Sequence, residues 1–199
     1  FPLKFEDVIA PLDTLEFLYN KKAFPFSTIN FTQGSEQPLH MDSIHFHSIP
    51  QLWMVGAWIA LEDVDEENGT LRVVPGSHKW GTYDYHNLKL PHPDERENGE
   101  VENYRDYEDF VRHLVKAKGG EEMKCVMKKG QILLWASNLL HGGIPIKDKK
   151  RTRLTQAIHY FFEGCDKYYH PMFSNPFKGE YAEKWCNEKN NILKEEKSK

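Results

Sequence analysis

The sequence predicts a mainly β domain, a sandwich or barrel of jelly-roll type with helices attached outside. Three observations predict it. Short runs rich in Val, Ile, Thr and aromatic residues recur through the middle of the chain, turn residues punctuate them, and a polar stretch at 79–122 separates two strand-rich halves. An insertion between the halves of a jelly roll accounts for that stretch. The length of 199 residues suits one domain with a substantial core.

The first element is a helix over roughly 13–22, carried by apolar Leu15, Phe17 and Leu18. "STINF" (27–31), "LWMVGAWIALEDV" (52–64) and "TLRVVP" (70–75) read as strands, with "EENG" (66–69) and "PGSH" (75–78) as turns. Inside the insert, a helix over roughly 106–118 has Asp106 as its cap, a stripe of Phe110, Val111, Leu114 and Val115, and "GG" as its stop. "KCVM" (124–127) and "QILLWA" (131–136) read as a hairpin around "KKG", with Gly130 supplying a positive φ. "RLTQAIHYFF" (153–162) is the last long strand, and the charged stretch 179–197 reads as a frayed helix or tail. The expected layout is a single domain over 1–199, with core strands at about 27–78 and 123–163, the insert at 79–122 and a C-terminal helix or tail at about 164–199.

Hydrophobic residues at 39% and charged residues at 28% are an ordinary globular balance, and 13% aromatics suit an aromatic-lined pocket. A net charge of -4 argues against a nucleic-acid partner, and "KDKKRTR" (147–153) reads as a solvated loop. Cys125, Cys165 and Cys186 are widely spaced with no C-x-x-C, which argues against a disulfide framework and favours a reducing, cytoplasmic setting. No apolar run approaches the ~18 residues of a membrane helix and no signal peptide is visible, so no membrane partner is expected. The chain opens on Phe1 rather than Met, as a piece of a longer protein would. Oligomeric state has no signature here.

The chemistry concentrates in "QPLHMDSIHFH" (37–47), which holds His40, Asp42, His45 and His47. In a strand, residues i and i+2 share a face, so His40 and Asp42 can reach one ion. The best third ligand is His141 in "WASNLLHGG", where Gly-Gly lets the backbone crowd against something. Two histidines and a carboxylate form the facial triad of non-haem Fe(II) oxygenases, leaving the three positions that a bidentate 2-oxo acid and dioxygen need. His45 and His47 read as pocket-lining or surface residues, and His78 as closing its turn by a hydrogen bond. His159 reads as a satisfied core histidine, and Trp53 and Trp135 as plain core.

"LHMDS", "WIALEDVDEENGTLRVVPGSHK", "GQILLWASNLLHGG" and "RTRLTQAIHY", in that order over about residues 27–163, resemble the phytanoyl-CoA dioxygenase-like family of Fe(II)/2-oxoglutarate-dependent oxygenases. The resemblance implies a double-stranded β-helix (jelly roll, cupin-like) with flanking helices and an insertion between the halves. It implies His40, Asp42 and His141 as iron ligands, with Fe(II), 2-oxoglutarate and O2 as cofactors. It also implies Arg153 as the residue holding the distal carboxylate of 2-oxoglutarate, with Thr155 one step along the same face. Trp58 would line the cofactor pocket and Asn30 would touch the cofactor. The 26 residues before the first core strand are fewer than the family usually carries. The implied activity is a dioxygenase hydroxylating a small organic substrate, with release of succinate and CO2.

His and Asp ligands alone do not choose a metal. A cupin-like isomerase or hydrolase on another divalent metal, and a non-catalytic metal- or ligand-binding member, therefore stay open. Arg153 and the intact Asp42 favour the oxygenase, since related halogenases replace that carboxylate with a small residue. Arg151 and Arg153 share strand parity; "KDKK" places Arg151 at the strand's mouth and Arg153 one pleat deeper. In the insert, Tyr83, Tyr85, His86, Arg96, Tyr104 and Arg105 either read a polar substrate or form a solvated excursion. Replacing 82–118 by a short linker is expected to spare turnover of 2-oxoglutarate.

Overall fold

The computed structural model describes residues 11–90 and 103–182. Helix α1 (Leu12–Tyr19) ends at Asn20, whose left-handed φ of 50° stops it earlier than the composition suggests. Of the expected stripe only Leu15 is buried; Phe17 and Leu18 are 85% and 62% exposed. Leu12, Leu15 and Tyr19 form the inner face instead, because residues three and four apart share a helix face and Leu15 and Phe17 do not. Tyr19 stacks on Phe162 with ring centroids 4.0 Å apart.

The strands are β1 (Ala23–Phe31), β2 (His47–Ile49), β3 (Met54–Ala60), β4 (Leu71–Val73), β5 (Met123–Lys124), β6 (Ile132–Ala136), β7 (His141–Gly143), β8 (Thr155–Phe162) and β9 (Lys167–Tyr169). They form an antiparallel four-stranded sheet in the order β1-β8-β3-β6, a three-stranded sheet β5-β4-β7 and a β2-β9 pair. The two larger sheets face each other. Trp58, Trp135 and Ala157 of the first pack with Leu71 and Val73 of the second. Alternate residues of β3 and β8, among them Val55, Ala57, Ile158 and Tyr160, point the other way and pack against Leu15 of α1. The fold is the double-stranded β-helix, mainly β with flanking helices.

The segment expected as a hairpin does not form one. Met123 and Lys124 pair with β4, whereas Ile132–Ala136 pairs with β3, so the chain crosses from one sheet to the other. Gly130 does carry the turn at φ 87°, its N–H donating to the Ala60 carbonyl. The backbone before the turn is already committed, since Cys125 donates to Leu71 and Met127 exchanges hydrogen bonds with Val64.

Helix α2 (Asn103–Lys118) begins before Asp106, which sits in its first turn rather than capping it. Gly119, at φ 62°, ends it as expected. The described part of the insert, 79–90 and 103–122, packs against the jelly roll rather than standing off in solvent. Tyr85, Tyr107, Val111 and Leu114 share one buried cluster with Met41, Ile44 and Leu140 of the jelly roll. Arg105 is exposed, and Arg96 lies outside the described residues, as does the 183–197 part of the expected C-terminal helix or tail. Among the described residues no helix is long and apolar enough to cross a membrane.

Candidate metal centre

His40 and Asp42 do not share a regular strand. His40 forms an isolated bridge with His141, each N–H donating to the other's carbonyl at 2.9 and 3.0 Å, and Asp42 opens a 3-10 turn (Asp42–Ile44). The bridge sets the two imidazoles side by side, centroids 4.5 Å apart, and the turn swings the carboxylate between them. Gly142 and Gly143 make this approach possible. A Cβ on Gly142 would lie 2.7 Å from the Gln37 carbonyl and 2.8 Å from that of Pro38, and one on Gly143 would lie 2.8 Å from the Glu36 nitrogen. The Gly-Gly thus crowds against the segment leading into His40.

The three side chains are arranged as a metal site would need. His40 Nδ1 lies 2.9 Å from the Pro38 carbonyl and His141 Nδ1 lies 3.0 Å from that of Leu139. A carbonyl only accepts, so both Nδ1 atoms carry the proton and both Nε2 lone pairs are free. Those Nε2 atoms stand 3.6 and 3.5 Å from Asp42 Oδ1, too far for a hydrogen bond. One ligand atom from each residue lies within 4.8 Å of the others, and all three side chains are buried. Burial pushes the His141 imidazole down to about 4 despite the carboxylate beside it. Burial also opposes ionisation of Asp42, but His141, His40 and His159 together hold its carboxyl well below the usual range. A neutral imidazole beside an ionised carboxylate is the state that coordination requires.

Two residues read from sequence as core belong to this centre. Trp135 Nε1 donates to Asp42 Oδ2 at 2.7 Å, and His159 Nε2 lies 3.6 Å from the same oxygen. His159 is not satisfied, since its buried Nδ1 has no partner among the described residues. Nothing in "QILLW" or "AIHYF" marks either residue, because both contacts join segments far apart in sequence. Trp53 packs, half-buried, near Leu15 and Ile158, as expected of core.

A cavity of about 180 Å3 opens from the triad toward Arg153, lined also by Phe31, Trp58, Leu71 and Ala157. Arg153 is 1% exposed. It donates from Nη1 to the Gly69 carbonyl at 3.0 Å and from Nη2 to that of Gln33 at 3.4 Å, while its Nε has no partner among the described residues. Its guanidinium lies 5.2 Å from the Phe31 ring and 5.3 Å from the Trp58 ring, and burial lowers it to about 10. No carboxylate pairs with it among the described residues. Arg151 instead binds Asp65 at the surface, at 2.9 and 3.0 Å, which is the mouth-and-depth order read from "KDKKRTR". Gly69 presents its carbonyl from a turn that Asn68 ties to the Thr152 carbonyl and to Asp65, so "ENGT" serves the arginine.

Thr155 shares the inward face but does not line the cavity, and its buried Oγ1 lacks a partner among the described residues. Asn30 faces the other way. Its Oδ1 accepts from Gln156, while its neighbours Ile29 and Phe31 point at the cavity, as strand alternation requires. His45 lines the cavity, stacked on Tyr104 of the insert at 5.5 Å, and burial takes it down to about 4. His47 is neither pocket nor surface; it is buried edge-on against Tyr169. His78 is exposed and, among the described residues, contributes its carbonyl, to Asn138, while the Ser77 hydroxyl accepts from Leu140 at that turn.

Comparison with known proteins identifies the family. The family model for Phytanoyl-CoA dioxygenase (PhyH) matches residues 6–153. The human peroxisomal phytanoyl-CoA dioxygenase is 31% identical over 135 residues, covering 68% of this chain and 36% of its own; the mouse protein is 33% identical over 108 residues, covering 54% and 28%. The chain thus spans about a third of the length of these curated relatives. A crystal structure of SnoK, a non-haem α-ketoglutarate-dependent carbocyclase from nogalamycin biosynthesis, superposes with a TM-score of 0.57 at 16% identity, over 80% of this chain and 58% of that one. Its fold is shared. Fe(II), 2-oxoglutarate and O2 are the cofactors of the matched family, and the His40–Asp42–His141 donor set is able to take the metal. On the extent of the family match, the chain belongs to the phytanoyl-CoA dioxygenase family.

Proposed function

We propose that the chain carries one Fe(II)- and 2-oxoglutarate-dependent oxygenase domain, with His40, Asp42 and His141 holding iron and Arg153 holding the distal carboxylate of 2-oxoglutarate. The observation that carries this reading is a buried guanidinium, with no carboxylate partner among the described residues, in the same cavity as a neutral-imidazole and carboxylate triad. Burying a charge without a counter-ion is costly, so the site suits an anion with a second group that reaches the metal. A dicarboxylate bearing a keto acid at one end is such a molecule.

Bound iron supplies the redox chemistry that couples loss of CO2 from 2-oxoglutarate to oxidation of a C–H bond. The chain's own part is binding and exclusion. The Gly69 and Gln33 carbonyls fix the plane of the Arg153 fork, and Phe31 and Trp58 shield it from water. Ser35, Gln37 and His45 line the polar side of the cavity, where a small organic substrate would meet the centre. Hydroxylation with release of succinate is the reaction we favour. Cys125 and Cys165 are free thiols, which fits a reducing compartment such as the cytoplasm.

Anaerobic titration with Fe(II) and 2-oxoglutarate tests the reading. A weak visible charge-transfer band is expected, and full metal occupancy without it would point to another metalloenzyme.

A further inference from the structure

Trp58 and Trp135 are both buried and both face the inter-sheet core, yet their indole nitrogens differ. That of Trp58 has no partner among the described residues, whereas that of Trp135 donates to Asp42 Oδ2 at 2.7 Å. We propose that Trp135 is a positioning residue for the metal: its indole N–H occupies Asp42 Oδ2, so that the carboxylate offers the metal Oδ1 alone. The proposal rests on reading the triad as metal ligands.

The two carboxylate oxygens are sorted by their surroundings. Oδ1 faces the free Nε2 atoms of His40 and His141, at 3.6 and 3.5 Å. Oδ2 faces the Trp135 N–H and, at 3.6 Å, His159 Nε2. A charge-assisted hydrogen bond in a buried site is strong and directional, so it resists rotation of the carboxylate. A carboxylate binding through both oxygens would fill two of six positions. Held to one oxygen it fills one, and with two imidazoles it leaves the three positions that a chelating keto acid and dioxygen require.

The sheet is built around this contact. Gly56 of β3 pairs with Trp135 on one side and His159 on the other. A Cβ at Gly56 would stand 2.2, 2.3 and 2.6 Å from Cε2, Cζ2 and Nε1 of the indole, the edge that carries the donor. The missing side chain is therefore the seat of the Trp135 ring.

Trp135→Phe keeps a ring and removes the donor. Titrate wild type, Trp135→Phe and Trp53→Phe with Co(II) alone, following heat, and record melting temperatures without metal. Trp135→Phe is expected to bind Co(II) about 10- to 100-fold more weakly, the usual cost of losing an outer-shell partner. Trp53→Phe should bind as wild type does. Equal affinities of Trp135→Phe and wild type overturn the proposal alone. Failure of wild type to bind Co(II) overturns the ligand reading itself, and the proposal with it. Should Trp135→Phe not fold, the wild-type indole N–H that cobalt broadens most reports instead. It should exchange slowly with solvent in the metal-free protein and faster in Asp42→Ala, and equal exchange in both overturns the proposal.

Discussion

The backbone N–H of Met41 donates to the Tyr107 hydroxyl at 2.9 Å, across 66 residues of sequence. Met41 lies between His40 and Asp42, and Tyr107 lies on α2 of the insert, so the insert holds the backbone that presents two ligand candidates. Tyr107→Phe should leave that buried N–H without a partner, costing about 1–3 kcal/mol of stability. Weaker Co(II) binding should accompany the loss, measured beside a urea melt. By the same contact, replacing 82–118 with a linker should impair cofactor turnover, against the expectation drawn from loop rules. Tyr85, Val111 and Leu114 leave with it, exposing Met41 and Leu140. Unimpaired Co(II) binding in Tyr107→Phe would show that the hydroxyl is incidental.

Asp42→Ala should abolish metal binding and succinate formation while circular dichroism stays that of the wild type. The sheets pack through Trp58, Leu71, Val73 and Ala157, none of which needs the carboxylate. Its structural cost includes the orphaned Trp135 N–H, again about 1–3 kcal/mol. Wild-type succinate production by the variant would remove Asp42 from the ligand set.

Arg153→Ala and Arg151→Ala should differ sharply in 2-oxoglutarate affinity. Truncating one partner of a buried charged pair costs about 2–5 kcal/mol, which weakens binding roughly 30- to 3,000-fold. Arg151 sits with Asp65 at the half-exposed surface, where such a pair is worth about 1 kcal/mol or less, and that cost falls on stability. Equilibrium binding of 2-oxoglutarate to the two variants separates the roles, and a crippled Arg151→Ala would overturn the assignment.

Gly142→Ala should loosen the His40–His141 bridge. Its Cβ would meet backbone carbonyls rather than a flexible side chain, so the 36–38 segment must move. An overpacking cost of about 1–3 kcal/mol is expected, with a parallel fall in Co(II) affinity. A variant with wild-type melting temperature and affinity would show that the segment yields freely.

The sequence by itself determined the class of the fold and the groups that carry charge to the cavity. His40, Asp42 and His141 stand out because few residue types bind metal, and they sit in runs whose strand and turn character is local; Arg153 is singled out by the family resemblance. Arg151 and Arg153 were separable for the same reason: a charged loop ends where an apolar strand begins.

Tertiary structure alone decided which side chains hold those groups in place. Trp135 reaches Asp42 across 93 residues, and Tyr107 reaches Met41 from an insert that looked detachable. Both contacts depend on which strand pairs with which, and the expected β5–β6 hairpin was wrong on that point because each strand met a different partner. Asn30 turned outward for a smaller reason. The period of a strand is two, so sequence marks the strand, while pairing with β8 decides which of its two faces meets the cavity.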